Sequence, residues 1–174
     1  MARSYIEAII EGGRTVIKVV DWECDGLLFG SCNACVAPPL RTWSNATRKA
    51  IISRGQNGGS QMGRIIYATR NAGRMGTNSP AGVMLLSLQS KRVTIMRIDQ
   101  PAQSPGGYVR AQVVHALLRC TEIIADRLRK SDIYLQVAHS GKREYCTQFA
   151  FREVPRSGRS HSKAAIALLR RPCP

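Results

Sequence analysis

Tyr108-Val-Arg-Ala-Gln-Val-Val-His-Ala-Leu-Leu-Arg-Cys-Thr-Glu-Ile-Ile-Ala-Asp-Arg-Leu-Arg-Lys130 is the stretch on which the fold turns. Val113, Val114, Leu117, Leu118, Thr121, Ile124, Ala125 and Leu128 recur at helical spacing, opposite much of Arg110, Arg119, Glu122, Asp126 and Arg129. The pattern predicts a long amphipathic helix that buries one broad face against a sheet. Cys120 falls near the buried side and reads as core, and His115 reads as a packed or rim residue. Arg119 and Glu122 are close enough on the helix surface to offset each other's charge.

The flanking sequence supplies the sheet. Val83–Leu88 and Arg92–Ile98 read as strands of a hairpin around Gln89-Ser90-Lys91, and the second is apolar on both sides, as a central or interface strand must be. Thr15–Trp22 alternates as a strand, Asp25-Gly26 signals a turn, and Leu27-Leu28-Phe29 returns. Arg64–Thr69 is a short strand. Ile133–Ala138 and Tyr145–Phe151 predict a further hairpin around Ser140-Gly141-Lys142-Arg143. Ser44 or Asn45 caps a short helix through Ala46–Ser53. Gln100 to Gly107, with its prolines and glycines, breaks the chain before the long helix.

The expected fold is therefore α+β: an antiparallel sheet, or two small hairpin-rich sheets, packed against one long amphipathic helix, with flexible basic loops. Residues 1–154 form a single domain in this reading, and 155–174 form a basic C-terminal tail or a short docked helix. At 174 residues and 44% hydrophobic content the chain can bury a core, which excludes a wholly disordered protein.

The chain carries 26 Lys and Arg against 11 Asp and Glu, for a formal charge of +15, and Arg predominates among the cations. Guanidinium groups make forked contacts to phosphate and carboxylate, so the bias points to an anionic partner. Between Asp25 and Asp99 there is no acid, while Arg41, Arg48, Lys49, Arg54, Arg64, Arg70, Arg74, Lys91, Arg92 and Arg97 all fall there. Two glycine-rich stretches, 55–63 and 71–80, bracket Arg64 and Arg70 and include Arg74. Backbone amides and guanidinium groups together suit phosphate. A second acid-free stretch holds Arg156, Arg159, Lys163, Arg170 and Arg171.

The leading expectation is a non-enzymatic nucleic-acid-binding protein, with RNA preferred to DNA. Its phosphate contacts come from Arg48, Lys49, Arg54, Arg64, Arg70, Arg74, Arg156, Arg159, Arg170 and Arg171, and a homo-oligomer assembled around the polymer is a variant of it. Tyr67, Tyr108, Tyr134, Tyr145, Phe149 and Phe151 include candidate base-stacking positions, although a small core claims most of them more simply. One alternative is a small metal-dependent nuclease or other enzyme acting on an anionic substrate through Asp21, Glu23 and Asp25, whose alternation brings their carboxylates to one face of an extended chain. A His139 and Cys146 base–nucleophile pair is a weaker version of the enzyme. The other alternative is a basic adaptor for an acidic protein partner.

Cys24, Cys32 and Cys35 approach zinc-ligand spacing, yet no second paired motif accompanies them, so reduced structural thiols are expected and no metal site is assigned. The glycine-rich stretch 55–63 lacks the Gly-Lys-Ser or Gly-Lys-Thr ending of a nucleotide loop, and no cofactor is expected. No apolar run reaches the length of a membrane span, and acids at Glu7 and Glu11 argue against a leader peptide, which leads to a cytoplasmic or nuclear expectation.

Overall fold

In the computed structural model, residues 5–11, 14–20, 22–24, 27–32, 43–56, 63–70, 79–101, 110–136, 148–153 and 165–168 are described. The run Ser79–Leu88 is apolar on both sides, so as a strand it has to be covered twice, and the helices do this from opposite faces. In chain order the elements are β1 (Tyr5–Glu11), β2 (Arg14–Val20), β3 (Trp22–Cys24), β4 (Leu27–Cys32), α1 (Asn45–Gln56), β5 (Gly63–Arg70), β6 (Ser79–Leu88), β7 (Arg92–Asp99), α2 (Arg110–Arg127), β8 (Asp132–Gln136), β9 (Phe151–Glu153) and β10 (Ala165–Leu168). β1 and β2 form a two-stranded sheet, and the other eight strands are ordered β3-β4-β5-β6-β7-β8-β10-β9.

Alternation along the central strands separates two cores. Ile65, Val83 and Leu85 face α1 and pack with Trp43 and Ile51, with Ala50 and Met96 against them. Ile66, Ala68, Met84, Leu86, Val93, Ile95, Ile133 and Leu135 face the other way and pack with Val113, Leu117, Cys120 and Ile124 of α2. The β1–β2 hairpin adds Ile6 and Val19 to this second core. At one edge, β3 is held by the cross-strand pair Trp22 and Phe29, whose ring centroids lie 5.0 Å apart.

The structure bears out the mixed α+β class and the face predicted for α2: Val113, Val114, Leu117, Leu118, Thr121, Ile124 and Ala125 are all buried. It also adds a parallel pair. α2 is the connection that returns the chain from β7 to β8, and those two strands run parallel from Arg92 opposite Asp132 to Ile95 opposite Leu135. The hairpin expected of 133–138 and 145–151 is corrected. β10 lies between β8 and β9 and pairs antiparallel with both, so Ala165–Leu168, within the segment read as tail or docked helix, is a strand. An apolar tetrapeptide far along the chain satisfies the edge of β8 better than the local return does, and local turn signals cannot report such a pairing.

α2 ends in a turn without glycine. Arg129 has a φ of 52°, Lys130 N donates to Ala125 O at 2.8 Å and Arg129 N to Asp126 O at 3.0 Å. These two bonds satisfy carbonyls that the helix end would otherwise orphan. Among the described residues, no helix is long and apolar enough to cross a membrane.

Candidate functional site

The sheet opens at the C-terminal end of β7. Pairing with β8 stops at Ile95, but β7 continues to Asp99, paired there with β6 alone. The cause is local: Leu85 lies opposite Arg97 and Leu86 opposite Ile95, so Met96 is an extra residue that kinks β7 where it parts from β8. Met96, Arg97, Ile98, Asp99 and Gln100 are half-buried, whereas Val93, Thr94 and Ile95 are buried. The backbone edge of β7 facing the opening is left without a strand partner among the described residues.

Helix ends flank this opening. α2 begins at Arg110 with no acid in its first turn, and Gly106-Gly107 stand just ahead of it in sequence. Its first turns approach the sheet closely because Gly82 lies beneath them: a Cβ there would come 2.6 Å from Val113 Cγ1 and 3.3 Å from Leu117 Cδ1. Gly82 follows a second irregularity, where Ala68 pairs with Gly82 but Thr69 pairs with Pro80.

α1 covers the other face. Ser44 is its N-cap: Thr47 N donates to Ser44 Oγ at 3.3 Å, and Arg48 N donates to Ser44 O at 2.9 Å. The same turn is tied to the end of β7. Ser44 Oγ and Thr47 Oγ1 donate to Asp99 Oδ2 at 2.7 and 2.5 Å, and Gln100 N donates to Asp99 Oδ1 at 2.9 Å. Two N–H donors nearby in sequence, Trp43 Nε1 and Gln100 Nε2, are buried without a hydrogen-bond partner among the described residues.

Of the expected phosphate-contact residues, five lie among the described residues. Arg48 and Lys49 sit in the first turns of α1, the former half-buried and bonded to Asn45 Oδ1. Arg54 lies in the same helix. Arg64 and Arg70 occupy opposite ends of strand β5, roughly 20 Å apart along it. Arg74, Arg156, Arg159, Arg170 and Arg171 lie outside the described residues, as do Asp21, Asp25, His139 and Cys146. Of the acidic triplet, Glu23 is exposed on β3.

Cys24 pairs opposite Leu27 at one end of β4 and Cys32 stands at its other end, roughly 16 Å away and too far to share a metal ion. Among the described residues, no three His, Cys, Asp or Glu side chains gather at a metal-binding distance. Of the aromatic candidates, Phe151 is buried and Phe149 packs on the core, while the Tyr67 ring lies across Gly30, whose Cβ position is 2.5 Å from the Tyr67 hydroxyl. Tyr134 lies beneath Arg92, with Cζ 4.7 Å from the ring centroid. Tyr108 and Tyr145 lie outside the described residues.

Cys120 is buried in the α2 core. Burial pushes its thiol well above its ordinary value, and the electrostatic influence of Cys24 adds to the rise.

No protein-family model matches the chain. No curated protein matches it either. Solved structures do, and they define the class: this is a GNAT-like fold. A mutant form of the toxin AtaT, bound to the C-terminus of the antitoxin AtaR and acetyl-CoA, is 11% identical with a TM-score of 0.56, covering 82% of this chain and 92% of that one. A GNAT family acetyltransferase from Elizabethkingia anophelis with acetyl-CoA bound is 12% identical with a TM-score of 0.56, covering 83% and 97%. AtaT complexed with acetyl-methionyl-tRNAfMet is 12% identical with a TM-score of 0.55, covering 81% and 93%.

These likenesses overturn the expectation of a non-enzymatic nucleic-acid-binding protein, and they favour the enzyme alternative over it. The physical reason is that net charge registers attraction to anions of every kind. Which anion is bound, and for what purpose, depends on the site that the fold assembles.

Of the residues at the start of α1 and the end of β7, the sequence singled out Ser44, Arg48 and Lys49. It missed Asp99, Thr47, Trp43 and Gln100. Two signals pointed to them: Asp99 is the first acid after the long acid-free stretch, and the sequence from β7 through Gly106-Gly107 into the long helix has the strand–glycine–helix order of an anion site.

Proposed function

We propose that this chain is an acetyl-CoA-dependent acetyltransferase. The observation that carries the reading is the opening between β7 and β8, made by the extra residue Met96 in a fold shared with acetyl-CoA-bound structures. The residues present fit that cofactor. The edge of β7 beyond Ile95, without a strand partner among the described residues, would hold the amide groups of its arm, as a strand edge holds any extended amide chain. The acid-free first turn of α2, preceded by Gly106-Gly107, would hold its phosphates. Gln100 Nε2, just past the end of β7, is a buried donor without an acceptor among the described residues. When bound, acetyl-CoA supplies an acyl group activated as a thioester. The chain's own part is to orient that group at the mouth of the opening, exclude water with the two helices, and admit the acceptor.

The acceptor we propose is an amine carried on tRNA. Arg48 and Lys49 lie in the first turns of α1, within an acid-free stretch of cations, where they would meet a phosphate backbone. The AtaT complex with acetyl-methionyl-tRNAfMet supports the same class of acceptor. The AtaT–AtaR complex supports a protein partner, and the +15 charge suits an acidic one.

The test is calorimetric titration with acetyl-CoA, followed by incubation of labelled acetyl-CoA with aminoacylated tRNA, free amino acids or polyamines. Saturable binding and label recovered as N-acetyl-aminoacyl-tRNA are expected. Failure to bind acetyl-CoA at millimolar concentration refutes the transferase, and transfer to free amines alone refutes the tRNA-borne acceptor.

A further inference from the structure

We infer that Asp99 is a positioning residue that seats α1 over the acyl-transfer opening and thereby sets acceptor use; this rests on the transferase reading. Asp99 is the only carboxylate between Asp25 and Glu122. It nevertheless holds no cation in the bonds described. Its Oδ2 takes the hydroxyls of Ser44 and Thr47, more than fifty residues away in sequence, and its Oδ1 takes the amide of Gln100. One carboxylate thus joins the start of α1 to the end of β7.

The bonds are not needed merely to form the helix. Ser44 already caps α1 through Thr47 N, so the helix has its own start without Asp99. What Asp99 decides is where that start lies. The body of the helix is seated by Ile51 on Ile65, Val83 and Leu85, while Trp43, just ahead of the cap, packs in the same cluster with Met96 against it, and Met96 is the residue at which β7 parts from β8. Val83 is opposite Asp99 in the β6–β7 register. α1 therefore lies on the sheet face where β7 parts from β8, held by the packing of Trp43 and Ile51 and, at its first turn, by one carboxylate. A reaction between two bound molecules is sensitive to such placement, since a displacement of about 1 Å can cost on the order of a hundredfold in rate. Thr47 is fully buried, and its hydroxyl makes its shortest bond to this carboxylate, with the Ser44 hydroxyl 3.1 Å away.

Asp99→Asn and Thr47→Val test the clamp, with Thr47→Ser as the conservative variant that restores the hydroxyl. The measurements are acetyl-CoA affinity by calorimetry, kcat and KM for aminoacyl-tRNA, and amide hydrogen exchange of residues 45–48. Asp99→Asn and Thr47→Val should each lower acceptor kcat/KM by about tenfold or more while acetyl-CoA affinity changes by less than about threefold. The double variant should be no worse than the poorer single, and Thr47→Ser should recover to within about threefold of the parent. Exchange at 45–48 should quicken in Asp99→Asn. Ile133→Val, a core change at the far end of β8, controls for lost stability and should leave kcat/KM within about twofold.

Acceptor kcat/KM retained within twofold in Asp99→Asn overturns the clamp, as does an equal loss in Ile133→Val. A parent protein that binds no acetyl-CoA overturns the transferase reading instead. In that case unchanged exchange at 45–48 in Asp99→Asn overturns the clamp on its own.

Discussion

Replacing Gly82 with Ala puts a methyl group where the first turns of α2 lie close on the sheet. The new Cβ would lie 2.6 Å from Val113 Cγ1, well inside van der Waals contact, and 3.3 Å from Leu117 Cδ1. Val113 is stiff about χ1 and fully buried, so it cannot swing away into solvent. Either the valine leaves its rotamer or the start of α2 lifts from β6. Overpacking of this kind costs about 2 kcal/mol, offset by roughly 0.5 kcal/mol because alanine restricts the unfolded chain more than glycine does.

The net loss of about 1.5 kcal/mol should lower the melting temperature by roughly 3–6 °C. Val113→Ala alone should cost about 2 kcal/mol by emptying the same space from the other side. In the double variant the methyl group added at position 82 occupies the vacated volume, so the two costs should not add, and the coupling should be about 1.5 kcal/mol in favour of the pair. The assay is urea denaturation of the four proteins of the cycle, with unchanged m-values as the check that the unfolded state is unaltered. Singles that add to within about 0.5 kcal/mol, or a Gly82→Ala protein as stable as its parent, would refute the close approach. Because the contact lies under the first turns of α2, Gly82→Ala should also weaken acetyl-CoA binding, and Gly82→Ala with Val113→Ala should restore part of it.

Arg129→Gly should stabilise the protein by about 0.5–1 kcal/mol in urea denaturation, because the residue's φ of 52° strains any side chain with a Cβ, and a destabilised variant would show that the arginine side chain outweighs the strain. Cys120 should resist a water-soluble thiol reagent in the folded protein and react on unfolding, whereas half-buried Cys24 should react sooner; mass spectrometry of tryptic peptides distinguishes them. Since burial raises the folded-state thiol value of Cys120 above its ordinary 9.0, the unfolded chain loses that proton first as pH rises, and stability should fall by about 1.4 kcal/mol per pH unit above pH 9. Cys120→Ala should remove that part of the slope, and an unchanged slope would refute it. Reversing the exposed Arg119–Glu122 pair, 3.2 Å apart, should change stability by less than about 1 kcal/mol, measured by the same denaturation.

Much of the scaffold was readable before any tertiary information. Periodicity placed α2 and its buried face, since a helix of this length has to turn one stripe inward, and Ser44 was legible as a cap because its short hydroxyl side chain competes for the first free amides. The apolar run of β6 and the two apolar sides of β7 announced strands covered on both faces. The pairing of β10 between β8 and β9 was not legible, and neither was the parallel return through α2, because pairing between distant segments leaves no local signature.

The site was less readable than the fold. Asp99, Ser44 and Thr47 are ordinary residues individually, and the bonds between them span more than fifty positions. The opening itself arises from a single extra residue, Met96, whose bulge can be seen only against the partner strand. The conspicuous features of the chain, its +15 charge and its arginines, pointed to an anion and could not say which.

By itself, then, the sequence determined an α+β protein with a long amphipathic helix, its principal strands and a strong attraction to anions. Those properties follow from local periodicity and composition, which are written along the chain. The tertiary structure alone decided the strand order, the split between β7 and β8, and the meeting of α1 with the end of β7. Each of these depends on which distant segments satisfy one another's backbone and side-chain groups, a choice made only when the whole chain packs.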